Sequence, residues 1–136
     1  MEFDTKIAFA IADDLATWQK LNVVAFLSSG VIGATENIMG ETYVDGSGAN
    51  YSPLCVQPMM VLTSGRARLN TFVQRANQRG VPVALYIEDM FATGHDAANR
   101  ETVKAYASED LPVVGIGVRA ERKIVDKILK GAKMHA

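Results

Sequence analysis

Asp13, Asp14 and Lys20 fall within eight residues of one another, and Glu88, Asp89, Thr93, His95 and Asp96 fall within nine. In each group, acids stand beside a side chain that can hold or pass a proton. A carboxylate kept ionised next to an ammonium can orient a nucleophilic water or a substrate hydroxyl, and a threonine hydroxyl can complete such a cluster. Lys20, Asp89 and Thr93 are therefore the candidates for catalysis, and Asp14 and His95 the candidates for holding a ligand. Plainer roles stand beside these. Asp13, Asp14 and Asp96 precede apolar-periodic runs as helix N-caps do, Lys20 fits the wet edge of an apolar helix, and Asp89 fits the anchor of a turn.

Other chemistries lack their residues. Cys55 is the single cysteine, so internal disulfides and multi-cysteine zinc sites are excluded, and a reducing compartment, the cytoplasm, is the expectation. His95 and His135 have no metal-ligand spacing, and no metal is expected. Gly115-Ile116-Gly117 lacks the third glycine and the helix start of a dinucleotide fingerprint, and reads as close packing inside a strand. No phosphate-cradling loop of the Gly-Lys-Ser or Gly-Lys-Thr type follows any strand, so no cofactor is expected. Ser28 and Ser29 precede Gly30 without the glycine pattern of a nucleophile elbow. No apolar stretch approaches the roughly 20 residues needed to cross a bilayer, and the opening residues are acidic where a signal peptide is basic.

The elements that must position these residues follow from periodicity. Residues 6–12 are apolar on both faces, as in a central strand covered on both sides. With Asp13 and Asp14 as caps, a helix is expected over 15–31, buried along much of its length. Residues 34–58 are irregular and rich in Gly, Asn and Pro; a loop, or a flap with short strands near 42–44, fits them. A strand is expected at 58–63, then Ser64 as cap of a helix reaching 79 and stopped by Gly80. A third strand at 81–87 delivers Glu88 and Asp89 at its end. Asp96 caps a short helix at 97–106, a fourth strand spans 111–117, and a last helix spans 120–129. The sum is one α/β domain over 1–136, a three-layer α/β/α arrangement around a four-stranded mixed sheet.

Charge is uneven along the 136 residues. The chain carries 14 basic and 15 acidic residues, net −1, so it has no global field for nucleic acid or anionic lipid. Residues 1–65 hold two bases against seven acids, and residues 66–136 hold twelve against eight. The densest basic run, from Arg119 to Lys133, has helical spacing around Ile124, Val125, Ile128 and Leu129, and reads as a solvated helix face, with a phosphate-facing surface as the second reading.

Several segments together resemble the type II peptidyl-tRNA hydrolases, and more closely a bacterial family of unknown function that shares their fold. The opening strand ending Asp13-Asp14-Leu15 is similar to theirs, and Lys20 falls where their first helix carries an essential lysine. Residues 69–89, a helix, Gly80 and a strand ending in Asp89, look like the matching hydrolase segment. Asp89 and Thr93 keep its Asp-x-x-x-Thr spacing, and residues 113–117 with 124–127 are similar to its closing strand and helix. The family's glutamine and histidine on the first helix are replaced by Val24 and Leu27, and its glycine-rich loop after the threonine is absent. The resemblance implies a hydrolase-like cleft turned to another small ligand or reaction. The alternative it implies is peptidyl-tRNA hydrolysis, with tRNA as partner and Arg66, Arg68, Arg75 and Arg79 on its phosphates. A homodimer with Trp18, Met59 and Met60 at its interface is a third reading, beside core packing of the same residues.

Overall fold

The computed structural model describes residues 3–135. Its elements are β1 (Thr5–Ala12), α1 (Thr17–Gly33), β2 (Tyr43–Val44), β3 (Asn50–Tyr51), β4 (Met59–Ser64) and α2 (Arg66–Gln78). They continue with β5 (Val83–Ile87), α3 (Asp96–Lys104), β6 (Val113–Glu121), α4 (Arg122–Ile128) and β7 (Lys133–Met134). The main sheet runs β5-β6-β1-β4-β7. β1 and β4 are parallel, whereas β6 is antiparallel to both β1 and β5. β1, β4 and β5 thus point the same way, and their C-terminal ends share one edge of the sheet. The expected count of four strands is corrected to five. β7 is only two residues, paired antiparallel with Leu62 and Thr63, and is too short to carry a period-2 pattern.

β1 is central and fully buried from Ile7 to Ala12, as its two-sided apolar pattern requires. Alternation along β6 turns Gly115 and Gly117 toward α1. A β-carbon on Gly115 would lie 2.5 Å from Val23 Cγ1 and 3.0 Å from Leu27 Cδ1; one on Gly117 would lie 2.8 Å from Phe9 Cδ1 and 3.1 Å from Val31 Cγ2. The helix therefore sinks onto backbone, and the two glycines serve packing. On the other face, Leu69, Phe72, Val73 and Ala76 of α2 and Val125 and Ile128 of α4 close the core.

Helix starts differ from the expected caps. α1 begins at Thr17 with Ala16 as cap residue, whose N–H donates to Gln19 Oε1 at 3.0 Å. Asp13 and Asp14 precede it, because buried Leu15 holds the chain against the core for one more turn. Gly65 rather than Ser64 caps α2, and Ser64 is buried at the end of β4. His95 rather than Asp96 caps α3: its Nδ1 accepts from the Ala98 N–H at 3.2 Å, and Asp96 pairs with Arg100 one turn on. Gly80 does end its helix, at φ +67°, with the Val81 N–H reaching Ala76 O at 3.0 Å. Only Val23, Leu27 and Val31 of α1 are buried, so the expectation of a largely buried helix is also corrected.

Residues 38–56 form a two-stranded arm. Ile38 is buried at its root, Val56 N–H donates to Ile38 O at 2.9 Å and Gly40 N–H to Leu54 O at 2.8 Å. β2 and β3 then continue the ribbon, pairing Tyr43 with Tyr51. At the tip the Asp45 carboxylate accepts from the N–H groups of Ser47 and Ala49 and from the Tyr51 hydroxyl at 2.7 Å. Those bonds, the tyrosine's above all, hold its carboxyl below the ordinary carboxylate value. Gln57 fixes the returning strand: its amide donates to Thr5 O and Oγ1, both at 3.0 Å, and accepts from Arg119 Nε at 3.1 Å.

Filling the Gly115 contact tests how closely α1 is seated. Gly115→Ala is expected to destabilise the fold by about 1–3 kcal/mol through overpacking against Val23 and Leu27. Urea unfolding reads this as a lower midpoint with an unchanged slope, and an unshifted midpoint would show that the helix has room to move outward.

Candidate functional site

The shared edge where β1, β4 and β5 end is where open α/β sheets gather ligands. Here a charged knot occupies it. Arg66, the first residue of α2, donates from Nε to both oxygens of Asp14 at 3.0 Å and from one terminal nitrogen to Glu88 Oε2 at 2.7 Å. Asp14, and Glu88 after it, hold the guanidinium charged, against a smaller desolvation cost that falls between them in size. The three groups are about half exposed, so the pairs contribute at most about 1 kcal/mol each. They still fix how the ends of β1 and β5 sit relative to α2.

Sideways from this knot lies a cleft of about 380 Å³ between α1, the 3₁₀ turn Glu88–Ala92 and the start of α3. Trp18, Asn22 and Phe26 reach it from α1 at four-residue intervals, so one helix face presents all three. Tyr86, Met90 and Phe91 come from the end of β5 and the turn, and Thr93, His95, Asp96 and Asn99 from the opposite wall. The rings form a chain: Trp18 meets Phe91 edge-on with centroids 6.2 Å apart, Phe91 meets Tyr86 at 5.2 Å, and Tyr86 meets Phe26 at 6.2 Å. Tyr86 is buried under this wall, which raises its phenol above the ordinary value. A second hollow of about 590 Å³ adjoins it, sharing Phe26, Tyr86, Met90, Asp96 and Asn99, and opening beside Arg100 and Lys104.

The sequence candidates are only partly gathered. Thr93 and His95 line the cleft. The Thr93 hydroxyl donates to Met90 O at 3.0 Å and makes a short contact with Asn99 Oδ1. Because His95 Nδ1 accepts the α3 cap bond, its ring proton belongs on Nε2, which makes that nitrogen a donor. Asp89 turns away to Tyr106, whose hydroxyl lies 2.9 and 3.1 Å from its two oxygens. Asp14 belongs to the knot. The Lys20 ammonium makes no hydrogen bond or ion pair among the described residues and does not line the cleft. No group of three or more metal-ligating side chains occurs among the described residues.

Sequence reasoning missed the aromatic wall and the amides Asn22 and Asn99. The signal was present. Residues 21–35 carry no charge in a helix that must show one face to solvent, and Trp18, Asn22 and Phe26 share that face. Trp18 is 63% exposed and Phe26 60%, which corrects the reading of Trp18 as core. What the cleft can do follows from its lining. It offers ring faces, neutral amide and hydroxyl groups, and one carboxylate already paired with Arg100, but no lysine or arginine. Such a surface stacks flat apolar or heteroaromatic groups and reads their polar edges.

Comparisons with known proteins assign no activity. The family described as protein of unknown function (DUF2000) matches residues 5–136. No match is found among curated proteins. Among solved structures, a protein of unknown function from Agrobacterium tumefaciens is 53% identical, with a TM-score of 0.97 over 99% of this chain and 100% of that one. No helix among the described residues is long and apolar enough to cross a membrane.

The Asp89–Tyr106 contact can be read by titration. The hydrogen bond from Tyr106 to Asp89 raises the phenol above its ordinary value of 10.0, burial and the carboxylate charge adding to it. The bond favours the neutral phenol, so its contribution is complete below pH 10 and is lost as pH rises through the raised value. Ultraviolet titration of the four tyrosines is expected to show a late component that moves down in Asp89→Asn, where the charge is gone. A titration curve that is the same in the variant would separate the two side chains in solution.

Proposed function

The chain belongs to the DUF2000 family, and we propose that it binds a small, flat, uncharged ligand with hydrogen-bonding edges, a nucleobase or similar heterocycle, in the cleft between α1 and α3. The observation that carries this reading is the run of four aromatic rings, Trp18, Phe91, Tyr86 and Phe26, in a lining whose other polar groups are neutral apart from Asp96, paired with Arg100, and which holds no lysine or arginine. The absence of lysine and arginine disfavours phosphate or carboxylate ligands, which need charge-assisted donors. Thr93, His95, Asn22 and Asn99 supply the polar contacts, and stacking supplies most of the affinity. Under this proposal the scaffold keeps the type II peptidyl-tRNA hydrolase layout and has turned its cleft to another use. Val24 and Leu27, in place of the glutamine and histidine of those enzymes, support that.

Peptidyl-tRNA hydrolysis is the second reading. It rests on Lys20, Asp89 and Thr93, with Asp89 orienting the attacking water and Lys20 countering charge. Less supports it. Asp89 is engaged with Tyr106, and Arg66, Arg75 and Arg79 spend donors on Asp14 and Glu88, on the carbonyls of Ile128 and Lys130, and on that of Arg75.

Trp18 is the only tryptophan, so its fluorescence reports the cleft without a label. Titration with adenosine, guanosine and nicotinamide is expected to give saturable quenching by at least one of them. Asn99→Ala and Phe91→Ala are each expected to weaken it about tenfold, as loss of roughly 1–1.5 kcal/mol of hydrogen bonding or stacking implies. Quenching that never saturates, or that both variants retain, removes the binding reading. Turnover of an N-acylated aminoacyl-tRNA that disappears in Asp89→Asn would replace it with the hydrolase reading.

A further inference from the structure

The arm and the outer face of α1 are both unfinished surfaces. From Glu41 to Ser52 every residue of the arm is exposed, including Tyr43, Val44 and Tyr51. Two-stranded ribbons of this length are marginal in water unless something packs on them. α1 turns Trp18, Leu21, Ala25 and Phe26 outward, with Leu21 68% exposed, along a helix whose only charge is Lys20.

The surface area leaves room for a contact of standard size. The chain exposes 8313 Å², and a folded 14.7 kDa monomer is expected to expose about 6,900 Å². The excess, about 1,400 Å², is more than the roughly 800 Å² each partner buries in a standard interface. Charge agrees with the geometry: the arm between Met39 and Val56 carries only Glu41 and Asp45, and no base occurs from residue 21 to residue 65. An acidic, tyrosine-bearing arm and an uncharged helix face flanked by one unpaired lysine are complementary. A two-fold exchange uses both surfaces twice.

We infer that the occupant is a second copy of this chain: two copies exchange arms, and the arm of each lies along the outer face of α1 of the other. Tyr43, Val44 and Tyr51 cover Leu21 and Ala25, and the partner's arm stands beside the aromatic cleft, whose Trp18 and Phe26 lie on the same helix. The inference rests on exposed area and charge, and is independent of what the cleft binds.

Analytical ultracentrifugation of the full chain tests it. The wild type is expected to sediment as a dimer. Leu21→Glu on the helix face and the double variant Tyr43→Ser with Val44→Ser on the arm are each expected to weaken dimerisation at least tenfold. All these positions are exposed, and circular dichroism melts confirm folding; should Leu21→Glu melt early, Leu21→Gln replaces it. The decisive sample is an equimolar mixture of the two variants. In a mixed dimer the intact arm of the Leu21 variant meets the intact helix face of the arm variant, so one of the two contacts is whole, and both changes fall together in the other. The mixture is therefore expected to form a mixed dimer tighter than either variant alone. A monomeric wild type up to millimolar concentration would overturn the proposal, whether or not another protein binds the arm. So would a dimer untouched by either variant, or two weakened variants whose mixture recovers nothing.

Discussion

The seating of α1 on β6 is the contact on which the rest of the molecule depends. Two glycines two residues apart, Gly115 and Gly117, remove the side chains that would otherwise hold the helix away from the sheet, and Val23, Leu27 and Val31 fill the space. Close seating has consequences at a distance. It brings the Trp18–Phe26 side of α1 level with Tyr86 and Phe91 at the end of β5, which creates the aromatic wall. It also uses only one stripe of the helix for the core, so Trp18, Leu21, Ala25 and Phe26 face outward. A side chain on either glycine would tilt the helix, and wall and outer face would both change.

Charge is distributed by the same geometry. Three parallel strands ending at one edge concentrate Asp14, Glu88 and the first residue of α2 there. In many α/β domains that edge stays open for a ligand. Here Arg66 ties the ends of β1 and β5 together, because one guanidinium satisfies two carboxylates at once. The aromatic cleft lies to the side, where the chain leaves β5 through a 3₁₀ turn, and no lysine or arginine lines it. The one carboxylate in its lining, Asp96, is paired with Arg100 along α3.

The strands and helices were largely legible, since β1 is apolar on both faces, α2 has a clear one-sided stripe ended by Gly80, and β5 is β-branched and aromatic. The glycine pair in β6 was legible as packing. Three things were not, each for a physical reason. The caps differ because the expected residues have other partners: Asp14 reaches Arg66 across 52 residues, Ser64 is buried at the end of β4, and Asp96 pairs with Arg100 while His95 caps α3. β7 is too short for periodicity. The candidate site was read from proton chemistry, which selects Lys20, Asp89 and Thr93, whereas the cavity is made by aromatic residues whose types are also those of a core. The one sign in the sequence of this exposed aromatic face is the lack of charge over residues 21–35, and that signal lies in what is missing.

The arm makes the same point in energetic terms. Its tip is ordered by local bonds, Asp45 to two backbone N–H groups and to Tyr51, and its root by Ile38 and Gln57. Between them no residue from 41 to 52 is buried, so nothing apolar offsets the conformational entropy of holding the ribbon straight. Root and tip fix a ribbon whose apolar side chains, Tyr43, Val44 and Tyr51, stay exposed along its whole free length.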